Sequence, residues 1–176
     1  HILGGCATAH DANDAAHLGV TEYYVEKGGK LTFTMIHNWG DSTTVRPRSA
    51  GIVEAGGEFQ NNYILLKPVG DLQMYPTMTL AGAGAVARFN SVVVAPTGSY
   101  VDCGNRIDLA APETRGEIIS RVVTTGGTVI ISSHVMSLVE KMCTHVAVIN
   151  AGQVRAAGTI EQVSAGEDLE ERFLQL

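Results

Sequence analysis

The chain has 176 residues, 45% hydrophobic, 17% charged and 6% aromatic, with a formal net charge of −6. Its basic residues form no cluster, which argues against wrapping nucleic acid or a polybasic membrane anchor, because both need a grouped positive surface. Its apolar runs are strand-sized and far short of a bilayer span, and its three scattered cysteines, Cys6, Cys103 and Cys143, form neither a disulfide framework nor a metal clip, which fits a reducing, cytoplasmic setting.

Taken in chain order, β-rich runs are predicted at Leu18–Val25, Leu31–Ile36, Ser49–Val53, Phe59–Leu66, Leu72–Thr79, Val86–Val94, Val101–Leu109, Glu117–Val123 and Thr128–Ile131. A short helix at Asp11–His17 is the only other element suggested in this stretch. Glycine and proline punctuate the runs. The pairs Gly28-Gly29 and Gly56-Gly57, then Gly82 and Gly84, return about every 27 residues. Glycine supplies the positive φ that corners need, so the punctuators mark corners and the runs mark edges. Evenly spaced short strands fit a sandwich or barrel, and a fixed long period with two strands per repeat fits a parallel β-helix. Composition alone favours the sandwich, and the repeat period makes the β-helix the preferred reading here.

Beyond residue 132 the pattern changes. Val135, Leu138, Val139 and Met142 share one face of a helix expected over 134–143, with Ser133 as its N-cap. A strand at His145–Asn150, a turn at 151–153 and a strand at Val154–Gly158 follow. A last helix carries Leu169, Phe173 and Leu176 on one face, opened by a capping box of Asp168 and Glu171.

The stretch GGCATAHDANDAAHLGVTEYYVEKGGKLTFTMIHNW, followed in order by MYPT, GAVARFNSVVVAPTGSYVDCGNR and EIISRVVTTGGT, resembles the SufB/SufD (SufBD) scaffolds of iron–sulfur cluster assembly, most closely the archaeal type with His-Asn-Trp at 37–39. The resemblance implies a mainly β fold: a right-handed parallel β-helix over residues 1–129, with a small C-terminal α/β segment at 130–176. It implies a scaffold, not an enzyme, on which sulfur and iron meet to form a transient iron–sulfur cluster. Its partners would be a SufC-like ATPase and a sulfur donor, and a homodimer through the β-helix is compatible with it. Cys6 aligns with the family cysteine of sulfur acceptance, and His17 with the histidine of its Leu-His motif. These two are the sulfur-acceptor or metal-ligand candidates, with His10 and Cys103 as weaker ones. The family's further cysteine, its His-Glu pair and its SufC-binding helices have no counterpart in this sequence, so an incomplete scaffold is expected.

The segment GGTVIISSHVMSLVEKMCTHVAVINAGQVRAAGTIEQV, with DLEERFLQL at the end, resembles the C-terminal part of an ABC transporter ATPase, with His134 at the place of the switch histidine that senses the terminal phosphate. The chain has no G-x-x-x-x-G-K-[S/T] loop, no apolar strand ending in Asp-Glu and no Ser-Gly-Gly-Gln signature. Backbone amides of the missing loop and its lysine do most of the holding of phosphate, so ATP is not expected to be bound by this chain alone. A junction of two segments, near 125–131, is the expectation, and the alternatives to a scaffold are an ATPase-derived fragment or a chimeric, inert composite without ATP hydrolysis of its own.

Overall fold

The computed structural model describes residues 1–7, 15–40, 42–67, 69–133 and 136–175. The chain divides into two compact units, His1–Gly127 and Thr128–Leu176.

The first unit is a parallel β-solenoid of about four turns, with three strands in each turn. Turn one holds β1 (Ile2–Ala7), β2 (Ala16–His17) and β3 (Val20–Val25). Turn two holds β4 (Lys30–Asn38), β5 (Thr44–Val45) and β6 (Arg48–Val53). Turn three holds β7 (Glu58–Leu65), β8 (Asp71–Met74) and β9 (Thr77–Leu80), and turn four β10 (Val86–Pro96), β11 (Tyr100–Cys103) and β12 (Arg106–Leu109). A final strand, β13 (Arg115–Thr125), pairs with β10. Equivalent strands stack into three sheets, in the orders β1-β4-β7-β10-β13, β2-β5-β8-β11 and β3-β6-β9-β12, all in parallel register. Stacked parallel strands satisfy their backbone polar groups from the turns above and below, so each turn needs its neighbours.

The glycine corners are where the spacing placed them. Gly28, Gly56 and Gly84 have φ of 67, 64 and 71°, and the fourth equivalent corner is Glu113, a non-glycine at φ 58°. Gly28 N–H donates to Ala55 O, Gly56 to Ala83 O and Gly84 to Pro112 O, so each corner is bonded to the next.

Two expected single strands are each two strands: Leu72–Thr79 and Val101–Leu109 are broken at Tyr75-Pro76 and Gly104-Asn105. The expected Leu18–Val25 is β3 alone, with Leu18-Gly19 as the corner that separates it from β2. The corner is only two residues long, so the chain turns without the loop that would announce it, and the repeat holds three strands instead of two. The expected strand at Thr128–Ile131 is absent: the ladder ends at Thr125, and Ile130 is 92% exposed. Residues 8–14, most of the suggested first helix, lie outside the described residues, and Ala16–His17 is strand.

Alternation along each strand turns one side-chain row inward. Val25, Val53 and Leu80 are in register and fully interior. In the neighbouring row Gly51 lies between Tyr23 and Met78, where a Cβ would meet the Met78 Cε at 2.7 Å and the Tyr23 carbonyl oxygen at 2.8 Å. On the outward face of the first sheet Arg88 pairs with Glu117, Lys30 with Glu58, and Asn90, Asn62 and Thr34 form a hydrogen-bonded ladder.

The second unit consists of α1 (Met136–Met142), an antiparallel hairpin of β14 (His145–Asn150) and β15 (Gln153–Thr159), α2 (Ile160–Ser164) and α3 (Leu169–Gln175). Val139, Val148, Val163 and Leu169 form its core. The hairpin closes through Ala151 and Gly152, both at positive φ, as a two-residue turn requires. The complete capping box is on α2, where Gln162 N–H donates to Thr159 Oγ1 and Thr159 N–H to Gln162 Oε1. Asp168 does accept from a helix amide, that of Glu170.

Candidate functional site

Cys6 lies on β1 in register with His37 of β4. Both belong to the inward row, Cys6 half-buried and His37 only 3% exposed. Two positions earlier in the same row, Gly4 is in register with Met35. A Cβ on Gly4 would lie 3.0 Å from the Met35 Cε and 3.3 Å from its Sδ, so the glycine leaves the room that the thioether occupies. Cys6 Sγ approaches that thioether at 4.0 Å.

Aromatic rings surround His37. Its Nδ1 shares a hydrogen bond of 3.0 Å with the Tyr63 hydroxyl, and its ring meets those of Tyr63 at 5.0 Å and Trp39 at 5.1 Å, both edge-on. His17, from β2, packs 4.5 Å from Trp39 and 6.0 Å from His37. Burial, and after it the charge of His17, depresses the His37 pKa from 6.5 to about 4, so the ring is neutral at physiological pH. Burial pushes the Tyr63 hydroxyl well above its usual range, and the thiols of Cys103 and Cys6 add to the shift. A cavity of about 80 Å³ lies inside the solenoid here, lined among others by His17, Met35, His37, Asn61, Tyr63 and Met74. Trp39 Nε1 and Thr43 Oγ1 are buried without a hydrogen-bond partner among the described residues.

The weaker candidates fall elsewhere. Cys103 ends β11, in register with Met74. The residue is exposed overall, yet crowding of its thiol by protein, then the Asp102 carboxylate, pushes it up to about 12. That thiol is protonated at neutral pH and a poor nucleophile. His10 and His134 lie outside the described residues. Among the described residues, no three His, Cys, Asp or Glu side chains gather closely enough to hold a metal ion. An outer groove of about 310 Å³ is lined by Arg48, Gln73, Met74, Tyr75 and Asp102. Its polar groups are already paired, Arg48 to Gln73 and Gln73 to Asp102.

Sequence reasoning missed Met35, Tyr63 and Trp39, and the strand expected over Leu31–Ile36 stops short of His37, which β4 includes. The available signal was parity: Leu31, Phe33 and Met35 set the inward row, and 37 continues it.

Residues 1–136 match the family model described as the SUF system FeS cluster assembly, SufBD core domain. The chain belongs to the SufBD core family. The SufBD match passes the boundary expected at 129 by seven residues. A SufBD family protein of Archaeoglobus fulgidus is 47% identical over 136 residues, which cover 77% of this chain and 36% of the relative. One from Methanothermobacter thermautotrophicus is 40% identical over 124 residues, 70% of this chain and 30% of the relative. The iron–sulfur cluster assembly protein SufB of Bacillus subtilis is 29% identical over 129 residues, 72% of this chain and 27% of its own length. This SufBD chain therefore matches about a third of the length of these curated relatives. No helix among its described residues is long and apolar enough to cross a membrane.

Proposed function

We propose that this chain is a scaffold component of iron–sulfur cluster assembly and that Cys6 accepts the sulfur. The reading is supported by one observation above all: Cys6 faces the interior of the β-helix, in register with His37, which lines a small cavity. In the proposed step the Cys6 thiolate attacks the sulfane sulfur of a donor persulfide. The donor's S–S bond breaks, its thiolate leaves and takes up the proton that Cys6 gave up, and a persulfide forms on Cys6. Sulfur and iron are cargo in this scheme, and the chain carries them without being an enzyme. A SufC-like ATPase and a persulfide donor are the proposed partners, the cytoplasm the proposed setting, and a homodimer through the β-helix the proposed assembly. Because the chain matches only part of its relatives, the proposal concerns this part of a scaffold.

Anaerobic reconstitution with iron and sulfide tests the reading. The parent is expected to retain more iron and sulfide than Cys6→Ala, and equal loading of the two would remove Cys6 from the scheme.

For residues 130–176 a second reading is an ATPase-derived segment with His134 as its switch-histidine counterpart. The β14–β15 hairpin between short helices favours it, since the resemblance places a strand pair there. Without a phosphate-binding loop, an ATP titration of the chain is expected to be flat. Saturable binding of ATP would contradict that expectation.

A further inference from the structure

We propose that Cys6 and Met35 form a site for a soft monovalent metal ion of the Cu(I) class inside the β-helix. The site does not rest on sulfur acceptance at Cys6. Its basis is the 4.0 Å separation of Cys6 Sγ and Met35 Sδ, on neighbouring strands and on the same inward face. The bare Cα of Gly4 leaves the space that the thioether occupies there.

Geometry and charge both select the class of ion. Two metal–sulfur bonds of about 2.3 Å that span 4.0 Å enclose an angle of about 120°. That is a trigonal arrangement with one position left. His37 is the donor suited to it: it is the register partner of Cys6, and Tyr63 already holds its Nδ1, leaving Nε2 for the metal. Thiolate and thioether together favour Cu(I) over harder ions. No carboxylate lines the adjoining cavity, so a buried dication would lack compensating charge. A monovalent ion that replaces the Cys6 proton leaves the site neutral, and the proton goes to solvent.

The test is anaerobic Cu(I) titration of the full chain against bicinchoninate, a competing chromophoric ligand. One equivalent is expected to bind to the parent and none at this site in Cys6→Ser. Met35→Leu keeps the packing volume and is expected to weaken binding roughly tenfold or more. Cys103→Ser is expected to titrate like the parent, and X-ray absorption at the copper edge to show two sulfur neighbours. Should Cys6→Ser fold poorly, Met35→Leu decides alone. Met35→Leu binding as tightly as the parent, or loss of the site in Cys103→Ser, overturns the assignment. Persulfide loading of Cys6 is a separate measurement, so the metal site and the sulfur-accepting role can fail independently.

Discussion

The interior of the β-helix has two halves of different chemistry. One is an apolar stack built from Tyr23, Val25, Val53, Phe59, Met78, Leu80 and Phe89. The other includes Val45, Leu65, Leu72 and Val93, but also Trp39, Tyr63, Met35, Met74 and Cys6, with His37 buried among its rings. The first half shows what the solenoid needs in order to stand: in-register apolar rows, with glycine where two large side chains converge. The second carries a buried imidazole and an indole N–H without a partner among the described residues, both of which oppose folding. Under the proposed function, groups of that kind mark the half in which stability is given up for chemistry.

Truncation in the apolar half should have the largest effect. Phe59 is 1% exposed, and Phe59→Ala is expected to lower unfolding free energy by about 3–5 kcal/mol, measured by denaturant titration. Loss of less than about 1 kcal/mol would mean that this row is not the structural one. In the other half, Tyr63→Phe leaves the buried His37 Nδ1 without its partner, at a cost of about 1–3 kcal/mol in the same assay. The two substitutions differ in kind, since one opens a cavity and the other deletes a single oxygen.

The halves also differ in response to pH. The unfolded chain takes up a proton on His37 near 6.5, whereas the folded chain resists until about 4. The His37 contribution is therefore complete above pH 6.5 and is lost as pH falls towards 4, with a loss on the order of 1–2 kcal/mol once solvent near the ring is allowed for. Melting curves across this window should lose that limb in His37→Asn and keep it in Phe59→Leu. An unchanged profile in His37→Asn would show that His37 is not the group that titrates.

The smallest effects lie at the corners that serve both halves. At Gly56 nothing lies within 4 Å of an added Cβ, so Gly56→Ala tests backbone conformation alone and is expected to cost about 1 kcal/mol. Glu113 holds the same conformation without being glycine, so Glu113→Gly is expected to stabilise by about 0.5 kcal/mol after the greater freedom of the unfolded chain is subtracted. Opposite signs at these equivalent corners are the outcome to look for in paired thermal melts.

The same corners explain what the sequence disclosed. Glycines 28, 56 and 84 announce the repeat because positive φ leaves a compositional mark. The corners at Leu18-Gly19, Tyr75-Pro76 and Gly104-Asn105 leave only a weak one, since two residues suffice to turn and the flanking rows stay β-rich. Cys6 and His17 were legible through their motif. His37 was not, because a polar residue next to Asn38 and Trp39 looks like the end of a strand, and only the register with Cys6 and the Tyr63 hydroxyl from the next turn reveal its burial. Tyr63 lies 57 residues beyond Cys6, and no local pattern links residues that meet only by stacking of turns. In the second unit the Thr159–Gln162 capping box was overlooked because β15 runs directly into α2.

Mapping persulfide sulfur on the intact chain tests the central claim most directly. After anaerobic exposure to a persulfide donor and alkylation trapping, peptide mass analysis should find one added sulfur on the Cys6 peptide and none on the peptide carrying Cys103, whose thiol stays protonated. Sulfur on Cys103 or Cys143 with Cys6 unmodified would contradict the placement of the accepting thiol in the interior of the β-helix.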